Sequence, residues 1–241
     1  MAKAGPAELL TTWEAGLEQR APGRALLLHR TARPEASDEE LRSRPVGARA
    51  ADLLVLRRSL FGERMQVLIE CGSCGEAMEF DLDARRLGGH PTPDSLRVVE
   101  DGFAVEFRLP TVADLEAAAA EPAEFRRARL LARCTISATR DDRPVPGEEL
   151  PDRVQRRMAE LAEEADPAAD LTLNVRCPHC DAGTSTELDV VAYLWSELDS
   201  WSRDVLLDVH LLASAYGWSE SQILALSPLR RRYYLELCAD G

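Results

Sequence analysis

The sequence predicts an α+β fold in which a ribbon, split into two C-x-x-C β-hairpins, carries an α+β insertion and is flanked by helical N- and C-terminal units. Three observations lead there. Cys71-Gly-Ser-Cys74 and Cys177-Pro-His-Cys180 read almost as copies of each other. Each follows an alternating, strand-like run (65–70 and 171–176) and precedes a second short run (79–82 and 185–188). Apolar residues at steps of three and four then mark helices on either side of this pattern. The implied boundaries are a helical unit at 1–60, the split ribbon at 61–83 plus 171–189, the insertion at 84–170, and a second helical unit at 190–241.

Taken in order, Leu9, Leu10, Trp13 and Leu17 space a first helix, which Ala21-Pro22-Gly23 is expected to end. A second helix covers 24–33 around Ala25 to Leu28, and Ser37 with Glu40 reads as a capping box. Leu53, Leu54, Leu56 and Leu60 form the stripe of a third helix over 46–60. Turn residues at 88–93 make a linker in which His90 is read as solvated. Asp101-Gly102 between alternating runs predicts a β-hairpin. Thr111 opens a helix to about 120; a second helix spans 123–134, and a strand follows at 135–139. Asp141 and Asp142 lie in a polar loop over 140–147, read as a solvated turn, before an amphipathic helix at 154–165. From Val190 to Leu212 apolar residues recur at helical spacing over some 25 residues, and Gly217 is expected to stop that helix. Ser219 with Gln222 caps a short helix at 220–226, and Ser227-Pro228 starts the last one.

Paired C-x-x-C knuckles offer four soft sulfur ligands, the set a structural Zn²⁺ prefers, so Cys71, Cys74, Cys177 and Cys180 are the expected ligands of a zinc ion. Gly72, Gly75 and Pro178 are read as the residues that permit the bends. The 102 residues between Cys74 and Cys177 far exceed ordinary ribbon spacing, which leaves two disulfides as the competing reading. No apolar signal segment precedes the chain, so a reducing cytoplasm is expected, and that favours free thiols. Four cysteine ligands leave no open position for an activated water. Cys134 and Cys238 are read as buried structural thiols, His179 as solvent-facing and His210 as a core histidine. No phosphate loop, nucleophile elbow or metalloprotease spacing is present, so no enzyme is expected.

The formal charge of −13 argues against a generic nucleic-acid binder and favours a basic partner surface. A nucleic-acid regulator stays open as the alternative, because Arg230, Arg231 and Arg232 follow a helix-turn-helix-like pattern. The apolar stretches are interrupted by charge well before the ~20 residues a membrane span requires. Trp195, Trp201, Trp218, Tyr233 and Tyr234 fit either core packing or a partner surface.

Tyr193-Leu194-Trp195, Val209-His210-Leu211-Leu212-Ala213, the run from Tyr216 to Leu224 and the run from Leu226 to Leu235 resemble a family encoded beside contractile phage tails and phage-tail-like injection systems. The closing part, with the sense of I-L-x-L-S-P-x-x-R, is similar to baseplate and hub-assembly proteins of T4-like tails. The likeness is loose over 61–83, closer over 171–238 and weak between. It implies a structural or assembly role in a baseplate, with other baseplate, hub or spike proteins as partners and no catalysis.

Overall fold

The computed structural model describes residues 5–88 and 92–239, so the expectation for His90 lies outside the described residues. The chain forms two units, residues 1–31 with 191–241 and residues 32–190. The first helix, α1 (Pro6–Leu17), starts with proline in its first turn. The second, α2 (Ala21–Ala32), begins three residues earlier than the sequence reading, with Pro22 and Gly23 inside it. Proline in a first turn forfeits no hydrogen bond, since N–H groups there have no intrahelical acceptor, so Pro22 starts this helix rather than ending its predecessor.

In residues 32–190, the Ser37/Glu40 capping box opens α3 (Asp38–Ser43), the Ser37 hydroxyl accepting from the Glu40 N–H. Helix α4 (Val46–Phe61) buries Leu53, Leu54 and Leu56, as its stripe predicts, and then leads through Gly62 into the first hairpin. Strand β1 (Arg64–Glu70) alternates buried and exposed positions, with Met65, Val67 and Ile69 inward, and pairs antiparallel with β2 (Ala77–Asp83).

The segment between the two hairpins, called the insertion below, holds a four-stranded antiparallel sheet in chain order, backed by helices. Its first strands, β3 (Leu96–Glu100) and β4 (Phe103–Phe107), meet at Asp101 and Gly102, both with positive φ, as a twisted two-residue hairpin requires. Thr111 and Asp114 form a capping box at the start of α5 (Val112–Ala119). After a short 3₁₀ turn, α6 (Arg126–Cys134) leads directly into β5 (Thr135–Arg140), which returns beside β4. Asp141 and Asp142, with φ of 48° and 64°, then turn the chain into the two-residue β6 (Arg143–Pro144). This carboxylate pair therefore works as turn chemistry. Helix α7 (Asp152–Ala165) closes the layer, placing Val154 and Met158 on Val98, Phe103, Val105, Phe107 and Ala138. Each Val, Phe or Met among them contributes about 1.5–3 kcal/mol by leaving water. The second hairpin, β7 (Thr172–Arg176) with β8 (Gly183–Glu187), is a separate two-stranded sheet.

Helix α8 (Val190–Tyr216) runs as its periodicity predicts and stops at Gly217, whose φ is 69°. It buries Leu194, Leu198, Ser202, Val205 and Leu212. His210 departs from expectation: it is exposed, because its position falls off that stripe. Helices α9 (Glu220–Leu224) and α10 (Pro228–Ala239) follow, the first under the Ser219/Gln222 box and the second with Ser227 Oγ accepting from the Arg230 N–H at 3.3 Å. In this unit, Trp13 Nε1 donates to Asp199 at 2.8 Å, and Ile223 is fully buried.

Candidate metal centre

Both cysteine pairs sit on hairpin tips of one construction. The last strand pairs are Glu70↔Ala77 and Arg176↔Gly183, so each tip is a six-residue loop that begins with its first cysteine. In each, the first cysteine is held by two backbone bonds: the Cys71 N–H donates to Glu76 O at 2.8 Å and the Gly75 N–H to Cys71 O at 2.9 Å. Their counterparts are Cys177 to Ala182 and Asp181 to Cys177, both at 2.9 Å. The residue after the second cysteine takes positive φ in each copy, 75° at Gly75 and 58° at Asp181. Gly72, which the sequence reading included among the bend-makers, has ordinary φ and open space where a side chain would go. The turn needs a left-handed residue at one place, filled by Gly in one copy and by Asp, which tolerates that region, in the other.

The ligand atoms of Cys71, Cys74, Cys177 and Cys180 all lie within 4.8 Å of one another. Cys71 Sγ is 3.7 Å from Cys180 Sγ, and Cys74 Sγ is 3.7 Å from Cys177 Sγ. A tetrahedron with metal–sulfur bonds of ~2.3 Å has sulfur–sulfur edges of about 3.8 Å, whereas a disulfide brings sulfurs to about 2.05 Å. All six cysteines are free, and the cluster has the spacing of a metal centre. Cys71 and Cys177 are buried while Cys74 and Cys180 face outward. His179 is exposed, as expected.

Electrostatics separates Cys71 from Cys74 and Cys180. Backbone N–H groups of Cys74 and Ser73 aim at the Cys71 sulfur and bring its thiol down to about 6. At Cys74 the Glu76 N–H favours the thiolate, but desolvation and hydrogen bonding among Cys180, Cys71 and Cys177 push the thiol up to about 12. Cys180, with the Ala182 N–H in the same role, is also raised. The Cys71 sulfur becomes anionic easily while Cys74 and Cys180 resist, and four sulfurs this close are compatible with a soft cation that neutralises several thiolates together.

The family described as T4 bacteriophage base plate protein matches residues 35–192, more than half of the chain. The chain belongs to the T4 baseplate protein family. No curated protein and no solved structure matches it. All four clustered cysteines lie inside the baseplate-family span, and so does the insertion, where the sequence likeness read as weak. The segments from Tyr193 to Leu235 that carried the likeness lie beyond that span.

Outside the baseplate-family span, the aromatic residues take different surroundings. The Trp195 ring lies against Gly16, with the Arg24 guanidinium 4.6 Å from its centroid. Trp201 is half-buried. Trp218 stacks on Tyr216 at 4.7 Å and meets Tyr234 edge-on at 4.8 Å. Tyr233 is 61% exposed, between Leu229 at 66% and Leu237 at 62% on one face of α10. The arginine run is not one basic face: Arg231 is buried and pairs with Asp208 at 3.0 Å, and Arg232 pairs with Glu236. Cys134 is buried, as expected, whereas Cys238 is half-buried. Among the described residues, no helix is long and apolar enough to cross a membrane.

Proposed function

We propose that this baseplate-family chain is a non-enzymatic baseplate component or assembly factor of a contractile phage-tail-like injection system, with a structural Zn²⁺ in its cysteine cluster. The observation that carries the role is the family match over 35–192. The four-sulfur set with 3.7 Å cross-hairpin edges supports the zinc. In this reading Zn²⁺ ties the hairpins of a split ribbon across the insertion, and its four thiolates leave no position for substrate or water. The reading needs reduced thiols, which a cytoplasmic location would supply. Its partners are other baseplate, hub or spike proteins. The outward aromatic and aliphatic side chains around Tyr233 are one surface available to them.

The test is co-purification of tagged full-length chain from cells that produce the neighbouring tail proteins, with metal analysis of the purified chain. A baseplate, hub or spike protein in stoichiometric amount, and one zinc per chain, are expected. Absence of every tail protein from the eluate would overturn the assembly role, and a metal-free chain would overturn the zinc.

A further inference from the structure

Away from the cysteine cluster, residues 32–190 hold two cavities that join into one apolar groove. The first has a volume of about 420 Å³, floored by Phe107, Leu130, Leu131 and Met158 between α6 and α7. The second, about 290 Å³, lies towards the end of α7 beside Val46, Leu109 and Leu115. Pro110 and Ala162 line both, so the two cavities adjoin along one groove. It follows α7 from Gln155 to Asp166, which at 1.5 Å per residue is about 17 Å, the length of three helical turns.

Its two ends carry opposite charge. Arg127 and Arg156 border the first cavity; Arg156 is exposed, and Arg127 is shared with Asp152 at 3.7 Å. Glu163, Asp166 and Asp170 border the second. Asp166 is buried, one carboxylate oxygen accepting the Gly47 N–H at 2.9 Å, and burial holds its carboxyl above the ordinary range. At the basic end Gln155 donates to Leu150 O at 2.6 Å, while its Oε1 is buried without a partner. A small apolar ligand would use the floor and leave both charged ends unmatched. An extended peptide would find α6 and α7, whose backbone groups are bonded within the helices, and the segment 108–110, where the Arg108 N–H already donates to Cys134 O at 3.0 Å and Pro110 O already accepts the Val46 N–H at 3.1 Å. A helix satisfies its own backbone, offers an apolar stripe at i, i+3, i+4 and i+7, and can carry charge at each end.

We propose that this groove receives an amphipathic helix of another tail protein, about three turns long, with acidic side chains over Arg127 and Arg156 and basic side chains over Glu163 and Asp170. The inference rests on the reading of the chain as a protein that binds tail proteins, and names the surface and partner chemistry. An acidic first turn and a basic last turn also suit a helix's own dipole, so the partner helix runs with its N-terminal end at the arginines.

The test uses the full chain with photoreactive benzoylphenylalanine at Ala159, which is exposed on the groove wall. It is expressed with the tail proteins, irradiated, and the crosslinked peptide is sequenced by mass spectrometry. The expected adduct is a helical segment of a tail protein, acidic at one end and basic at the other. Its yield should fall about tenfold on Arg156→Glu or Glu163→Arg, with the melting temperature unchanged. A compensating charge reversal at the matching end of the segment should restore it. Tail proteins that co-purify without an adduct at 159 would overturn the groove and leave the assembly role standing. An adduct to a second copy of this chain, or to a segment without the two charged ends, would overturn the proposal too. No co-purifying tail protein at all would overturn the assembly role, and this surface with it.

Discussion

Cys71 Sγ and Cys180 Sγ lie 3.7 Å apart although 109 positions separate them in sequence. Bringing these sulfurs together closes a long loop, and the entropy of closing it falls on the chain unless a metal supplies binding energy. Zinc analysis of protein purified without added metal is expected to give one ion per chain, with six titratable thiols after chelation and denaturation. Cys71→Ser or Cys177→Ser should abolish zinc and lower the melting temperature sharply, since structural zinc contributes on the order of 10 kcal/mol. Because protons compete for the sulfurs, zinc release should rise as pH falls. Melting unchanged by chelator and by both substitutions would show that nothing is held there.

The two tips differ at their left-handed position, which allows a paired experiment. Gly75→Ala forces a methyl group into φ of 75° and should cost about 1 kcal/mol or more. Asp181→Gly relaxes the matching residue and should be neutral or stabilising by a few tenths of a kcal/mol. Gly72→Ala, at an ordinary φ with open space around it, should lie within about 0.5 kcal/mol of wild type. Chemical denaturation of the three variants checks the order, and a Gly72 effect equal to that of Gly75 would contradict it.

These tips were legible in the sequence because everything that makes them is local: a strand, a cysteine, a turn, a second cysteine and a returning strand. The capping boxes at Ser37 and Ser219 and the stop at Gly217 were legible for the same reason. A helix stripe, by contrast, records that a face is buried without naming what buries it. The contact of Trp195 with Gly16 and the ion pair of Arg231 with Asp208 therefore left no signal that could be read in advance. His210 misled because apolar sequence neighbours on a helix point in all directions; its spacing from Val205 and Leu212 was the better guide. The groove along α7 was hidden too, since its floor comes from β4, α6 and α7, segments far apart in the chain.

Asp114 should be the most pH-sensitive carboxylate of the insertion. It is fully buried, and although burial alone would raise its pKa, hydrogen bonds from Arg108, Thr111 and Arg133 hold it well below the usual carboxylate range. Arg133 Nε donates at 2.7 Å and Arg108 Nη2 at 3.1 Å. A depressed folded-state value means that the stability it contributes is present above the unfolded value of about 3.9 and is lost as pH falls below it. Asp114→Asn should cost about 1–3 kcal/mol at neutral pH by removing the charged acceptor of two arginines that are each about one-third exposed. It should also flatten the decline in melting temperature below about pH 4. A variant that melts like wild type at pH 7 would rule out this anchor.

Gly16 and Trp195 make the tightest test of the unit built from the two chain ends. A Cβ on Gly16 would lie 2.3 Å from the Trp195 ring, so α1 and α8 approach as closely as they do because Gly16 has no side chain. The ring is also fixed from a second side, since Arg24 lies over it and donates through Nε to Gly16 O at 3.0 Å. It can withdraw only by giving up that cation–π contact. Gly16→Ala should therefore cost about 1–3 kcal/mol, the range for overpacking a filled site, and lower the melting temperature. In a Trp195→Leu background, where the indole is gone, the same substitution should cost much less, giving a coupling energy of about 1 kcal/mol or more in a double-mutant cycle. Additive effects would mean that Trp195 does not pack on α1 and that its ring is free for a partner. Strong coupling with unchanged co-purification of tail proteins by Trp195→Leu would assign the residue to the fold and leave partner contacts to the exposed face around Tyr233.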